Sequence, residues 1–304
     1  MPGPSTHDPS RTAVAVLGTG RMGGPIAHNL LAAGFEVSVW NRTAERAAPL
    51  AADGARLALS PVDAAHGVDV VLTMLADGNA VRDAMIGRDG VLASLPPGSV
   101  WIQMATIGDQ WTTRLASLAG GHSIEFVDAP VSGSDGPARA GELVVLASGP
   151  DEVRARVQPV FDAIGSRTLW LGPAGNGSRL KLVLNNWLAS QVEAVAETLA
   201  LTEALGVDPQ LFLDTIDDGP LGSPYAVAKA RGMLAGEFAP GFALRLAYKD
   251  IGLALDAARE QELELPVSSA TAARWREAIA DGHGDEDVSV VIAEATNGAQ
   301  ASRT

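Results

Sequence analysis

Six residues near the start of the chain limit its fold more than any others: Gly18-Thr-Gly20-Arg-Met-Gly23. They follow directly on an apolar run, Thr12 to Leu17, of the kind that forms a buried parallel strand. A helical pattern through Ile26, Ala27, Leu30 and Leu31 comes next and stops at Gly34. A second apolar run, Glu36 to Trp40, completes strand, turn, helix and strand. In that setting the glycines have separate tasks. Gly18 permits the tight turn, Gly20 lets the backbone approach a pyrophosphate, and Gly23 lets helix and strand pack closely. The helix N-terminus receives the phosphate charge, with Arg21 and Met22 beside it. The motif implies a bound dinucleotide.

The end of the second strand discriminates between cofactors. An acidic residue there grips the ribose hydroxyls of NAD. This chain has Asn41-Arg42-Thr43 instead. No carboxylate repels a 2′-phosphate, Arg42 can pair with it and stack on adenine, and Asn41 and Thr43 can donate hydrogen bonds. The pattern favours NADP(H) over NAD(H).

Strands and helices keep alternating: Val68 to Leu75, Val100 to Met104, Glu125 to Ala129, Leu143 to Ser148 and Arg167 to Leu171 read as strands. Ligands in open parallel sheets sit at strand C-terminal ends. Leu75 and Ala76, opening the loop Ala76-Asp-Gly-Asn79, are therefore expected along the cofactor, and Thr106 near its nicotinamide. Thr106 or Asp109 also suits as a cap for a helix over 109–119. Pro130-Val-Ser-Gly-Ser134 reads as a loop whose backbone N–H groups form a nest for an anion such as a carboxylate.

After Gly177 the strands cease. Helical patterns cover 178–206, 209–217, 223–234, 242–262 and 266–282, with glycine and proline between them. The fold class is α/β: an N-terminal Rossmann-type, doubly wound, mostly parallel sheet over 12–174, and an all-helical substrate and dimerisation domain over 175–304. Residues 1–11, with three prolines, read as a mobile tail. In the first long helix Leu180, Val183, Leu184, Trp187 and Leu188 predict a largely buried stripe. Lys181 and Asn185 interrupt it on one face, and a lysine so placed needs a polar cleft or a partner. Residues 281–289 read as an acidic loop.

The net charge of −14 opposes nucleic-acid binding and attachment to anionic membranes. The chain has no cysteine, no histidine spacing that suits a metal, and no apolar run that spans a bilayer. A cytoplasmic enzyme with a small-molecule substrate is the expectation. The helix over 178–206 carries enough apolar surface to predict a homodimer or homotetramer.

These motifs, in this order, resemble the β-hydroxyacid dehydrogenases. The likeness covers roughly residues 13–290. It rests on the glycine fingerprint, on Asp128-Ala-Pro-Val-Ser-Gly-Ser134, on the helix with Lys181 and Asn185, and on Lys249-Asp250 followed by Leu253-Ala254. The resemblance implies that Lys181 is catalytic and that Asn185 helps hold the substrate. It implies that Ser132 and Gly133 bind the substrate carboxylate and that Thr106 and Lys249 contact the cofactor. Phe242 and Asp250 fall at pocket positions. The implied activity is hydride transfer between nicotinamide and a small 2- or 3-hydroxy acid, or the matching semialdehyde or keto acid. The chain departs from the family at Ala105, where serine is common, at Ser134, where a second glycine often follows, and at the bulky Trp187. An imine reductase shares the two-domain plan, and a non-catalytic NADP-binding module shares the fingerprint without requiring Lys181 and Asn185.

Overall fold

A computed structural model describes residues 12–87, 90–217 and 219–295. The expected tail over 1–11 lies outside these. The described chain forms two compact units that divide between Lys181 and Leu182.

The first unit is built on the apolar runs. β1 (Ala13–Leu17) leads through the glycine turn into α1 (Gly23–Ala32) and β2 (Glu36–Trp40). Then follow β3 (Arg56–Leu57), α2 (Pro61–Ala64), β4 (Val70–Thr73), α3 (Gly78–Ile86), β5 (Val100–Gln103), α4 (Asp109–Gly121) and β6 (Glu125–Asp128). These strands pair in the order β3-β2-β1-β4-β5-β6, all parallel. Successive residues of β1 face opposite ways, as a strand requires. Val14 and Val16 pack with Ile26 and Leu30 of α1, whereas Ala15 and Leu17 pack with Val81 and Met85 of α3 and Leu115 of α4. Both faces of the sheet are thus covered, and its strands are continuously apolar rather than alternating.

A smaller sheet completes the unit. β7 (Val131–Ser132), α5 (Asp135–Ala140), β8 (Leu143–Ala147), α6 (Arg154–Ile164) and β9 (Gly165–Trp170) follow β6. β8 lies between β7, antiparallel to it, and β9, parallel to it. The segment expected to be a plain loop at 130–134 therefore contains a two-residue strand. Its pairing runs through backbone groups that side-chain pattern does not report.

The long helix α7 (Asn176–Leu205) starts in the first unit and continues into the second, joined there by α8 (Pro209–Ile216), α9 (Pro224–Ala235), α10 (Leu244–Glu260) and α11 (Pro266–Ala280). The core of the helical unit gathers Ala189, Val192, Ala196 and Leu199 of α7 with Leu213, Val227, Ala230, Ile251 and Trp275. The buried stripe of α7 is thus not the one expected. Val183 and Trp187 are 64% and 62% exposed, while Leu182, Asn185 and Ala189 face inward. Apolar residues occupy both sides of this helix, so periodicity alone selects the wrong one. Among the described residues no helix is long and apolar enough to cross a membrane.

Candidate active site

Parallel strands place all their C-terminal ends on one edge, and the expected cofactor residues of the first unit come from that edge. At the end of β1, Gly18 takes a positive φ of 102°, a conformation that favours glycine. A Cβ there would stand 2.3 Å from the Met74 carbonyl oxygen. A Cβ on Gly23 would stand 1.8 Å from that of Gly18. Gly20 differs: a Cβ would meet nothing within 4 Å. Two glycines are therefore required by the protein's own packing, and the third lies on an open approach to the first turn of α1. That turn has no side-chain cap at Met22, so its N–H groups suit an anion. A dinucleotide fits this cradle.

Asn41 is more internal to the protein than expected. Its Oδ1 accepts from Thr19 N at 3.1 Å and its Nδ2 donates to the Thr43 carbonyl at 2.8 Å. It staples the glycine turn to the end of β2. Arg42 and Thr43 are exposed just beyond it. Leu75 is half-buried and Ala76 exposed after β4, and Asp77 accepts from Ala80 N to cap α3. Thr106 is half-buried after β5. The α4 cap is neither Thr106 nor Asp109 but Gly108, while Asp109 pairs with Arg179 at 2.9 Å. Ala105 belongs to the core under α3 and α4, so the hydroxyl missing there faces the interior.

The end of β6 meets the start of α7. Asp128 is fully buried. Its Oδ2 accepts from Ser178 N at 2.8 Å and its Oδ1 from Ser178 Oγ at 2.7 Å. Ser148 Oγ lies 3.2 Å from the same carboxylate and accepts from Gly177 N at 2.9 Å. Burial pushes the Asp128 carboxyl up to about 6, against the pull of the Ser178 and Ser148 donors, so it stays ionised at neutral pH. Lys181 emerges one helical turn beyond Ser178 and is half-buried. Ser132 is half-buried at the end of β7, and Gly133 follows with a φ of 127°. A Cβ on Gly133 would stand 2.8 Å from Leu143 Cδ2, the end of a side chain that can shift, so it is the backbone conformation that favours glycine there.

In the helical unit Asn185 is buried, and its Nδ2 donates to Asp250 Oδ2 at 2.6 Å. Lys249 pairs with the other oxygen, Oδ1, at 2.9 Å. Asp250 thereby sets the direction of the Asn185 amide. Phe242 is held through its backbone, which donates to Asp287 Oδ2 at 3.0 Å. Asp287 also accepts from Gly241 N, from Ser289 and from Lys229 Nζ, the last at 2.6 Å. This corrects the acidic-loop expectation for 281–289, because one of its carboxylates is a buried anchor. Sequence reasoning reaches Asp128 only as part of a motif and does not reach Ser178 or Asp287. An aspartate ending an apolar run ahead of a proline, as in Val127-Asp-Ala-Pro130, is a signal for the first; nothing local marks the other two.

Two family profiles together cover nearly all the described chain. The profile for the NAD binding domain of 6-phosphogluconate dehydrogenase matches residues 13–172. The profile described as "NAD-binding of NADP-dependent 3-hydroxyisobutyrate dehydrogenase" matches residues 175–295. Glyoxylate/succinic semialdehyde reductase 1 from Arabidopsis thaliana is 34% identical over 92% of this chain and 96% of its own. The 3-hydroxyisobutyrate dehydrogenase of Mycobacterium tuberculosis, solved with L-serine, superposes with a TM-score of 0.85 at 32% identity, over 93% of this chain and 98% of its own. Psf3, solved with NADP+ and 2-OPP, gives a TM-score of 0.84 at 25% identity, over 92% and 99%. By sequence and by fold the chain belongs to the β-hydroxyacid dehydrogenase family of NAD(P)-dependent oxidoreductases.

Proposed function

We propose that the chain interconverts a small 2- or 3-hydroxy acid and the matching keto acid or semialdehyde with NADP(H), Lys181 giving and taking the proton. One observation carries this reading. Asp128, the last residue of β6, ties the start of α7 to the sheet edge beyond which Gly18, Leu75 and Thr106 follow β1, β4 and β5, and Lys181 lies one turn further along α7. The bound nicotinamide supplies the hydride in reduction and accepts it in oxidation. Lys181, as an ammonium, donates to the carbonyl oxygen, stabilises the charge that develops there and delivers the proton. Neutral lysine takes it back in the reverse direction. The Ser132 hydroxyl and the Gly133 N–H hold the substrate carboxylate and so fix the carbonyl. In the helical unit Asn185 orients the reacting oxygen or its neighbour, Asp250 holds its amide, Phe242 contacts substrate and Lys249 contacts cofactor.

Arg42, exposed beyond β2 with no carboxylate at the strand end, supports NADP over NAD. A panel of small aldehyde acids, keto acids and cyclic imines, each tested with NADPH and NADH, checks both proposals. We expect reduction of at least one acid with NADPH preferred, and a KM for NADPH raised about tenfold or more in Arg42→Ala with NADH unaffected. Preference for NADH, or turnover of imines alone, would overturn them. Self-association belongs to the same proposal. Val183, Trp187, Leu201 and Leu205 form an exposed apolar line along α7 whose spacing keeps one face. A second copy of the chain is the proposed partner, and a monomeric mass by light scattering would remove it.

A further inference from the structure

Four buried polar side chains join the three segments that carry the proposed active-site residues of the first unit. Asp128 precedes Ser132 and Gly133. Ser178 precedes Lys181 by one turn. Thr112 Oγ1 lies 2.9 Å from the Gly108 carbonyl, two residues after Thr106, and 3.0 Å from Ser178 Oγ. Ser148, just beyond β8 and bridged to Asp128 through the backbone, completes the set. All four are nearly or wholly inaccessible. The Ser178 hydroxyl has a single proton, which goes to the carboxylate, so Thr112 is the donor to Ser178 or to Gly108. The helix start is also pressed onto the sheet, because a Cβ on Gly177 would stand 2.2 Å from the Leu146 carbonyl oxygen.

We infer that Asp128 and Ser178 are positioning residues for Lys181, holding the first turn of α7 in the one rotation that presents the lysine to substrate. The inference rests on the proposed role of Lys181. Its physical basis is the cost of the arrangement. Among the described residues no ion pair reaches Asp128, so a wholly buried carboxylate is held by neutral donors alone. Apolar packing would dock a helix end more cheaply. What hydrogen bonds add is direction: two of them, to the N–H and the hydroxyl of one residue, fix both the height and the rotation of the turn. A side chain one turn further on inherits that setting, and a displacement of about 1 Å at a reacting group costs on the order of 10²-fold in rate.

The test measures kcat, NADPH affinity by fluorescence and thermal stability for Ser178→Ala and Asp128→Asn, with Val157→Ala, a buried substitution on α6, as a measure of what lost stability alone does. Each hub substitution is then repeated in Lys181→Ala, whose slow residual reaction is followed in a single turnover. The inference predicts a kcat lowered tenfold or more in both hub variants, NADPH affinity within twofold of wild type, and no further loss when the hub is cut in Lys181→Ala. If Asp128→Asn fails to fold, Ser178→Ala, which keeps the carboxylate and the backbone bond, decides the matter. Unchanged kcat, an equal loss in Val157→Ala, or a loss that persists in the Lys181→Ala background would overturn it. Should Lys181→Ala itself keep the wild-type rate, the proposed reaction fails and this inference with it; a slow Lys181→Ala beside fast hub variants sinks the inference alone.

Discussion

Each unit of the molecule contains a buried aspartate that ties a segment with proposed site residues to its core, and the two do it with opposite electrostatics. Asp128 holds the start of α7 through hydroxyls and a backbone N–H. Asp287 holds the Gly241–Phe242 backbone and Ser289, and it pairs with Lys229. Burial raises both carboxyl values. At Asp128 the donors offset only part of that rise, and the group stays near 6. At Asp287 the Lys229 ammonium, with the Phe242 and Ser289 N–H groups, outweighs burial and brings the carboxyl below its ordinary value. The neutral donors position the Asp128 carboxylate without offsetting its burial, whereas at Asp287 the Lys229 hydrogen bond and the backbone N–H groups together do so.

The largest effect expected from this contrast comes from removing the cation. Lys229→Met leaves Asp287 buried and uncompensated, and we expect a loss of about 3–5 kcal/mol of stability in denaturant unfolding. A loss below ~1 kcal/mol would mean that the neutral donors suffice there too, and the contrast would collapse. Next comes pH. The folded state of Asp128 binds its proton more tightly than the unfolded chain, whose carboxyl lies near 3.8, so its contribution is complete below that value and is lost as pH rises to about 6. The difference amounts to ~3 kcal/mol. Asp287 runs the other way: its contribution is present above the usual carboxylate value and is lost as pH falls below it. Unfolding of wild type against Asp128→Asn from pH 4 to 7 should show wild type losing stability relative to the variant as pH rises; a flat or rising difference contradicts the assignment. The smallest effect is Ser148→Ala, which removes one donor to Asp128 at a cost of about 1 kcal/mol and shifts the midpoint of that pH dependence upward.

Much of the first unit can be read from its sequence because the relevant physics is local. Strand, glycine turn and helix occupy consecutive residues, and buried parallel strands announce themselves as short apolar runs. The clashes that require Gly18 and Gly23 are with Met74 and with Gly18 itself, in the fingerprint and the neighbouring strand it must touch. What sequence does not reveal is long-range. Ser178 lies 50 positions from Asp128, and Lys229 lies 58 from Asp287. Only the folded backbone brings either pair together. Two errors have the same origin. Val183 and Trp187 have the periodicity of a buried stripe but lie on the exposed side of α7, and Asp287 sits in an acidic stretch that looks solvated yet is drawn inside by Lys229. Ala105, one of the departures from the family pattern, lies in the core.

The proposed reaction depends on proton transfer by Lys181. The direct measurement is the single-turnover rate of NADPH oxidation by Lys181→Ala with whichever acid the wild type reduces, alongside its NADPH affinity. We expect a rate lowered about 10²–10⁴-fold with cofactor affinity unchanged, the range for loss of a general acid. A rate within a few-fold of wild type, or a loss accounted for by failure to bind NADPH, would contradict it.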